Sequence, residues 1–524
     1  MKVEKKQLKY DALLISISMA LVLGIVAFLV VKPEVSQAIA GNIFGTFTDL
    51  FGSGVLLFTF LGILLLIGIA LSKYGSIRLG MEKPEYSTFK WVAMMICCGL
   101  GSATVYWAFM EWAYYIGSPG VGIEPGSSLA YEMSVTYSMF HWGVSAWTLY
   151  ALAAIPVAYH FYVRKNQGLS FSSVVSAMTG IKSNGIVGRI IDVIFIFTCF
   201  GGLSITLGVS VPLVTQVVCS VIGIEPNFTM NILLIVLISV IYSFSSYIGI
   251  QKGMSKLADW NTKLAILFCI LVLLIGPTLF IMKNFVNSFG LMIQNFVHMS
   301  LYTDPVANSG FPESWTIFYW LYWTAYAPFT ALFITKVSKG RTIRSVITNT
   351  LVSGSCGCFF FFGILGSFTM ERAVSKVVPV VDMLNKGLDK EAIVMSLQSL
   401  PAGNLLLIMF AVITVFFLST TLDGAAFTMA STATPGLKNN EEPHPIHRLF
   451  WCVMLALVPL TMILIGANLN TIKTCAVATA IPLIFIMIIM LYGWLKWMFK
   501  DYSHKHSLEI HNEFKMDDDD KNIA

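Results

Sequence analysis

Two segments of the sequence are rich in aromatic side chains, residues 140–150 and residues 315–326. In the first, Trp147 and Tyr150 are three residues apart, so they would share one face of a helix. In the second, Tyr322 and Tyr326 are four apart and would do the same. Two such faces opposite each other could enclose a cation without N–H donors, such as a trimethylammonium group. Packing of large side chains between helices explains the same pattern, and composition alone favours that alternative.

A run of small residues gives the second pattern: residues 98–103 read CGLGSA. A helix loosened there could free carbonyl oxygens for an ion or a substrate, although close helix packing on small residues is an equally good explanation. Thr420 and Thr421 could add hydroxyl oxygens to such a site, but threonines more often bond back to their own helix.

Catalytic chemistry is poorly represented. The sequence has no phosphate-binding loop, no zinc-protease motif and no nucleophile elbow with supporting partners, and its nine cysteines lack zinc-site spacing. The charges within apolar segments are Glu111, Asp259, Lys263 and Asp423. Asp259 and Lys263 are four residues apart, so they would neutralise each other on one helix face. We therefore predict that the protein is not an enzyme and needs no cofactor.

The composition places these residues in a membrane. Of 524 residues, 56% are hydrophobic and 12% are charged, and the mean hydropathy is +0.76. Soluble domains carry about 25% charged residues, and a helix crosses a bilayer in about 20 apolar residues. The sequence predicts an all-α polytopic membrane protein with twelve spans, at residues 12–31, 54–72, 90–116, 131–161, 187–221, 230–249, 257–282, 314–338, 345–370, 402–433, 447–467 and 474–499.

The distribution of basic residues predicts the orientation. Most of the 33 lysines and arginines lie before the first span, in the even-numbered connections and after the last span. Under the positive-inside rule both tails, residues 1–11 and 500–524, are then cytoplasmic. Residues 285–299 alternate at helical spacing and predict an amphipathic helix at the outer interface, and residues 371–400 predict a shorter amphipathic segment on the same side.

Several motifs occur together in a recognisable order: Phe140-His141-Trp142, Gly249-Ile250-Gln251-Lys252-Gly253, Thr303-Asp304-Pro305, Gly310-Phe311-Pro312, and the run from Trp315 to Tyr326 followed by Ser338-Lys339-Gly340-Arg341-Thr342. In these motifs the chain resembles the betaine/choline/carnitine transporters, from the first span to the twelfth. The segments around Asp304 and Phe311 are most similar to the carnitine/γ-butyrobetaine exchanger branch.

The resemblance implies a fold and an assembly. The fold would be two inverted five-helix repeats, spans 3–7 (about 90–282) and spans 8–12 (about 314–499), preceded by two extra helices within a transporter domain of residues 12–499. The assembly would be a homotrimer in the inner (plasma) membrane, with residues 285–299 in the subunit contacts.

The resemblance also implies secondary active import of a quaternary ammonium compound, such as glycine betaine, carnitine or choline, by alternating access. The implied substrate cage comprises Trp142, Trp147, Tyr150, Tyr322, Trp323 and Tyr326, with Tyr114 nearby. Trp315 would lie further out, in an external approach site.

Coupling to sodium is the finer implication. The exchanger branch replaces sodium with an arginine and a methionine, but the matching positions here are Asn261 and Thr330. The implied sodium ligands are Cys97, Leu100, Phe417, Thr420 and Thr421. A second set comprises Thr206 and Phe329, with Gly202 where a hydroxyl is expected. The alternatives are a sodium-independent antiporter of carnitine-type compounds and, in another class, a channel or receptor that binds ammonium ligands.

Overall fold

Helices account for nearly all of the architecture. The computed structural model describes residues 9–99, 102–168, 170–248, 255–437, 441–464, 466 and 469–513. Within those ranges the only β-type pairing is an isolated antiparallel bridge between Arg78 and Thr342. The helices are α1 (Ala12–Val31), α2 (Pro33–Leu71), α3 (Thr88–Gly99), α4 (Ser102–Tyr115), α5 (Ser128–His141), α6 (Val144–Ala158), α7 (Phe171–Thr179), α8 (Ile186–Ile222), α9 (Phe228–Ile248), α10 (Ser255–Ile275), α11 (Thr278–Leu301), α12 (Phe318–Val337), α13 (Ile343–Thr348), α14 (Gly354–Phe361), α15 (Ser367–Val374), α16 (Val380–Asn385), α17 (Asp389–Gln398), α18 (Gly403–Thr432), α19 (Pro445–Leu464), α20 (Leu469–Tyr502) and α21 (Ser507–Glu513).

Ten helical segments among the described residues are long and apolar enough to cross a membrane. They coincide with all the predicted spans except the third and the eleventh. The third is formed by α3 and α4, on either side of residues 100–101, which lie outside the described residues. The apolar part of α19, at the eleventh, is short, Pro445–Leu457. The prediction of an all-α, multi-pass membrane protein is confirmed, whereas the count of twelve is not.

Two boundaries differ clearly from the prediction. The second helix begins at Pro33 rather than near residue 54, and proline suits a first helical position. Only one face of this early part, with Ser36, Ala40 and Thr48, is buried against the bundle. There the Thr474 hydroxyl donates to the Ala40 carbonyl at 3.0 Å. The amphipathic helix predicted at 285–299 is also longer, since α11 covers Thr278–Leu301.

The packing of the helices is reciprocal between the two halves of the chain. The segment that opens the second predicted repeat, α12, packs against α6 of the first repeat. In the same way α3 and α4, which open the first repeat, pack against residues 354–366 of the second. Two repeats related by symmetry would pair in this way, and the pairing brings α4, α6, α8 and α12 together around one central region.

Several helices in this central region are irregular. The helical conformation is interrupted at Trp142 and Gly143, between α5 and α6. A Cβ on Gly143 would lie 2.8 Å from the Met139 carbonyl oxygen and 2.9 Å from the Phe359 ring, so glycine is needed for the close approach. A π-helical turn, Pro312–Ile317, precedes α12. Such turns are frequent at functional sites because they re-aim the side chains that follow.

Candidate binding site

Trp323 on α12 is the centre of an aromatic cluster. Its ring centroid lies 5.3 Å from that of Trp142, 5.8 Å from that of Trp147 and 4.7 Å from that of Tyr150. All four side chains are buried, and the Trp323 indole N–H has no hydrogen-bond partner among the described residues. At these separations the rings are in direct contact, so the cluster is closed in this conformation.

The two remaining predicted cage residues extend the cluster along α12. Tyr322 lies 6.5 Å from Trp142, and Tyr326 lies 5.3 Å from Tyr322, between ring centroids. The structure thus brings together six of the seven predicted rings in one contiguous group, which we call the Trp323 cluster: Trp142, Trp147, Tyr150, Tyr322, Trp323 and Tyr326.

Tyr114 lies in a neighbouring group of rings. Its ring contacts Trp107 at 5.6 Å and Trp315 at 5.5 Å, and its hydroxyl is 2.9 Å from that of Tyr106. Trp315 also stacks on Tyr319, at 6.4 Å. Tyr114 therefore belongs to the layer that contains Trp315, the residue predicted to lie further out.

Two glycines set the positions of cluster rings. A Cβ on Gly354 would collide with the Trp147 indole, so that ring lies directly against the backbone of α14. A Cβ on Gly202 would lie 3.1 Å from the Tyr326 ring. The glycine that stands where the family resemblance leads one to expect a hydroxyl thus makes room for a phenol.

Glu111 is the polar centre beside the cluster, and its side chain is fully buried. Its carboxylate accepts hydrogen bonds from the hydroxyls of Tyr115 and Tyr319, both at 2.6 Å, and from the Trp142 indole N–H at 2.7 Å. These donors come from three segments, so Glu111 fixes the orientation of Trp142 against α12. The sequence marks Glu111 as a charge within a span but gives no sign of its partners.

His141 joins the same group, which we call the Glu111 cluster: Glu111, Tyr115, His141, Trp142 and Tyr319. Its Nδ1 lies 2.9 Å from the Tyr115 hydroxyl and its Nε2 lies 3.0 Å from the Thr316 hydroxyl. Its ring stacks on Tyr319 at 4.8 Å. In the Phe140-His141-Trp142 motif, His141 therefore ties α5 to the start of α12.

A loop beside these rings contains two of the sequence motifs. The Asp304 carboxylate accepts a hydrogen bond from the Ser309 backbone N–H at 2.7 Å. Hydrogen bonds from the side chain and backbone of Ser309 lower the pKa of Asp304 below its ordinary value. The loop ends at Phe311, whose ring packs on Tyr137 at 4.7 Å.

The predicted sodium ligands are only partly within the described residues. Leu100 and the side chain of Cys97 lie outside them. On α18 Phe417 is buried and Thr421 is half-buried, and the Thr420 hydroxyl donates to the Phe416 carbonyl at 3.0 Å and the Phe417 carbonyl at 3.1 Å. The described residues therefore include the α18 ligands of this candidate site but not Leu100 or the Cys97 side chain.

The second set of candidate ligands lies against the Trp323 cluster. The Thr206 hydroxyl is 3.1 Å from that of Tyr322 and also contacts that of Tyr326. Phe329 packs on Tyr326 at 5.9 Å, and both line a small pocket with Cys199 and Leu203. The Thr206 hydroxyl is thus engaged by two phenol hydroxyls.

The sequence does not single out Lys473, because this residue lies just before the predicted start of the twelfth span. In the structure it is within α20 and is only 3% exposed. Its ammonium lies over the rings of Trp315 and Phe318, at 3.5 Å and 4.5 Å from their centroids. No feature of the sequence near Lys473 signals this contact, which joins segments far apart in the chain.

Comparisons with known proteins identify the family of the chain. The betaine/carnitine/choline transporter family matches residues 13–503. A carnitine transporter of Acinetobacter baumannii is 44% identical over 94% of this chain and 90% of its own, and the uncharacterized transporter YeaV of Escherichia coli is 43% identical over 84% of this chain and 91% of its own. A solved Na⁺-coupled sialic acid symporter, substrate-bound and outward-open, aligns over 88% of this chain and 95% of its own, with a TM-score of 0.43 and 12% identity, too low to support an argument. The chain belongs to the betaine/carnitine/choline transporter family and is a membrane transporter rather than an enzyme.

Proposed function

We propose that the protein imports carnitine or a closely related quaternary ammonium compound by sodium-coupled alternating access. The observation that carries the proposal is the Trp323 cluster, in which three further aromatic rings lie within 5.8 Å of the Trp323 ring. A trimethylammonium group has no N–H to donate, so aromatic faces are its natural partners, and each such contact contributes about 0.5–2 kcal/mol.

The closed state of the cluster fits a transporter. A ligand of this size must part rings that now touch, and the movement of α6 relative to α12 would do so. These two helices belong to different predicted repeats, whose relative motion produces alternating access around a central site. A permanently open channel would not need rings that close on each other.

We also propose a homotrimer in the inner (plasma) membrane, on the basis of an exposed helix face and the distribution of basic residues. Val286, Ile293 and Val297 are exposed at helical spacing on α11, as a helix in the subunit contacts of a homotrimer would be. The positive-inside pattern supports an inner (plasma) membrane protein with both termini in the cytoplasm.

The sodium component is supported by the chemistry of Thr420. Its hydroxyl hydrogen is used on carbonyls of its own helix, which leaves the lone pairs of the oxygen free for a cation. Thr421 follows directly and is half-buried. Carbonyls at Cys97 and Leu100 would complete a site between the two repeats, so a bound ion would hold the repeats together. Asn261 and Thr330, both buried, carry no charge that could replace the ion.

Sodium-independent antiport of carnitine-type compounds is the second candidate. The observation that favours it is the engagement of the Thr206 hydroxyl by two phenols, which reduces the number of oxygen ligands available to sodium.

Uptake into proteoliposomes tests the proposal. Labelled carnitine, glycine betaine and choline would be offered with an inward sodium gradient, without sodium, and without sodium but with unlabelled substrate inside. We expect concentrative uptake of carnitine only with the sodium gradient. Uptake that needs only internal substrate would establish the antiporter, and absence of uptake of all three compounds under every condition would contradict the proposed function.

A further inference from the structure

The ammonium of Lys473 has an unusual environment. Its side chain is 3% exposed, and its Nζ donates one hydrogen bond, to the Ser314 carbonyl at 2.9 Å. No carboxylate of the described residues lies within 4 Å of it, and its other two N–H groups have no acceptor among those residues. A buried ammonium is costly to desolvate unless it is paired, and within a membrane such a charge commonly serves function.

The nearest acidic candidate does not supply a partner. The Glu111 carboxylate is held by the hydroxyls of Tyr115 and Tyr319 and by the Trp142 indole. Glu111 and Lys473 form no ion pair within 4 Å, so the carboxylate acts on the ammonium only at longer range. The positive charge of Lys473 is instead stabilised by the faces of Trp315 and Phe318.

The position of Lys473 relative to the Trp323 cluster is set by stacked rings. Phe318, under the ammonium, stacks almost parallel on Tyr322, with 5.8 Å between centroids and 9° between planes. Tyr322 is itself a member of the cluster. The stacked rings of Phe318 and Tyr322 therefore lie between the Lys473 charge and the place proposed for the substrate ammonium. Ser314 and α20 put Lys473 at the end of the bundle that the charge pattern predicts to face outside.

We propose that Lys473 is a specificity-determining residue that binds the carboxylate of the substrate. This inference rests on the proposed function. Carnitine and γ-butyrobetaine are zwitterions with three carbons between the ammonium and the carboxylate. With the trimethylammonium group in the Trp323 cluster, their carboxylate would extend past the rings of Tyr322 and Phe318 to the N–H groups of Lys473. Glycine betaine has a one-carbon spacer and is too short. Choline has no carboxylate, and its net positive charge is repelled by the ammonium.

Paired ligands test this proposal with purified full-length protein. Carnitine and carnitine methyl ester share the ammonium, the hydroxyl and the chain, but the ester lacks the negative charge. Binding would be followed through tryptophan fluorescence. We expect the wild type to bind carnitine at least about tenfold more tightly than the ester, a factor equivalent to about 1.4 kcal/mol. K473Q removes the charge but keeps an N–H donor for Ser314, so it should reduce this ratio to about one, mainly by weakening carnitine binding.

Two further variants control for folding and for the loss of a charge in general. K473R keeps the charge and should keep most of the preference. K263Q removes a charge that is exposed and paired with Asp259, so it should keep the wild-type ratio. An unchanged ratio in K473Q, or an equal loss of both ligands in K473Q and K473R, would overturn the proposal. Failure of both ligands to bind the wild type would instead overturn the proposed function.

Discussion

The Trp323 cluster and the Glu111 cluster share one residue and use opposite chemistry. The Trp142 ring faces Trp323, while its indole N–H donates to Glu111. On one side neutral rings pack together, and the Trp323 indole N–H has no partner among the described residues. On the other side the buried Glu111 carboxylate accepts three hydrogen bonds. The Trp323 cluster offers aromatic faces, which can bind a methylated cation. The Glu111 cluster offers directional hydrogen bonds, which can hold a side chain in position.

The largest effect should come from breaking the Glu111 cluster. E111A leaves three buried donors without an acceptor, so we expect the free energy of unfolding to fall by about 3 kcal/mol or more. Thermal unfolding of the purified protein in detergent measures the change. E34A, at an exposed glutamate, should have almost no effect. A stable E111A would mean that the three hydrogen bonds contribute little and that Trp142 is held by packing alone.

Breaking the Trp323 cluster should affect binding more than stability. W323L keeps an apolar side chain but removes the central ring, so we expect carnitine affinity to fall about tenfold or more. The matched control is W260L, because Trp260 is 71% exposed and far from the cluster in sequence. Equal affinities for W323L and the wild type would place the substrate elsewhere.

A substitution outside both clusters can displace a ring of the Trp323 cluster without removing it. G354A puts a methyl group against the Trp147 indole and must displace it. Overpacking of this kind costs about 1 kcal/mol or more, so affinity should fall about fivefold. G54A is the control, because a Cβ there meets nothing within 4 Å. If both variants bind carnitine as the wild type does, the position of Trp147 is unimportant for recognition.

The smallest effect on substrate affinity is expected from T420A/T421A, which leaves both clusters intact. The double substitution removes two hydroxyl ligands from the proposed sodium site. It should raise the sodium concentration for half-maximal uptake severalfold while affecting exchange less. Kinetics of uptake against sodium concentration measure this. Unchanged sodium dependence would show that the ion binds elsewhere.

Helix faces and most membrane spans could be predicted from the sequence, because local periodicity encodes them. The spacing of Trp147 and Tyr150, and of Tyr322 and Tyr326, predicts that each pair shares a helix face, and the two rings of each pair are in contact in the structure. Between the helices, Trp147 and Tyr150 contact Trp323. Apolar runs predict most of the spans. The extension of α2 to Pro33 is missed because its early residues are polar, and it depends on contacts with distant segments such as Thr474.

The partners of Glu111 and Lys473 could not be predicted for the same reason. Each side chain meets residues from other helices, and no local spacing reports which helices become neighbours. The position of Tyr114 likewise depends on which helices become neighbours. The family resemblance implies that Tyr114 lies near the cage, and its contacts with Trp107 and Trp315 place it in the adjacent ring layer, a detail that local spacing does not contain.

An experimental structure with carnitine bound tests the central claim most directly. We expect the trimethylammonium nitrogen within about 6 Å of the ring centroids of Trp142, Trp147 and Trp323, with the rings parted to admit it. An ammonium found only at Trp315 and Phe318, with the Trp323 cluster still closed, would contradict it.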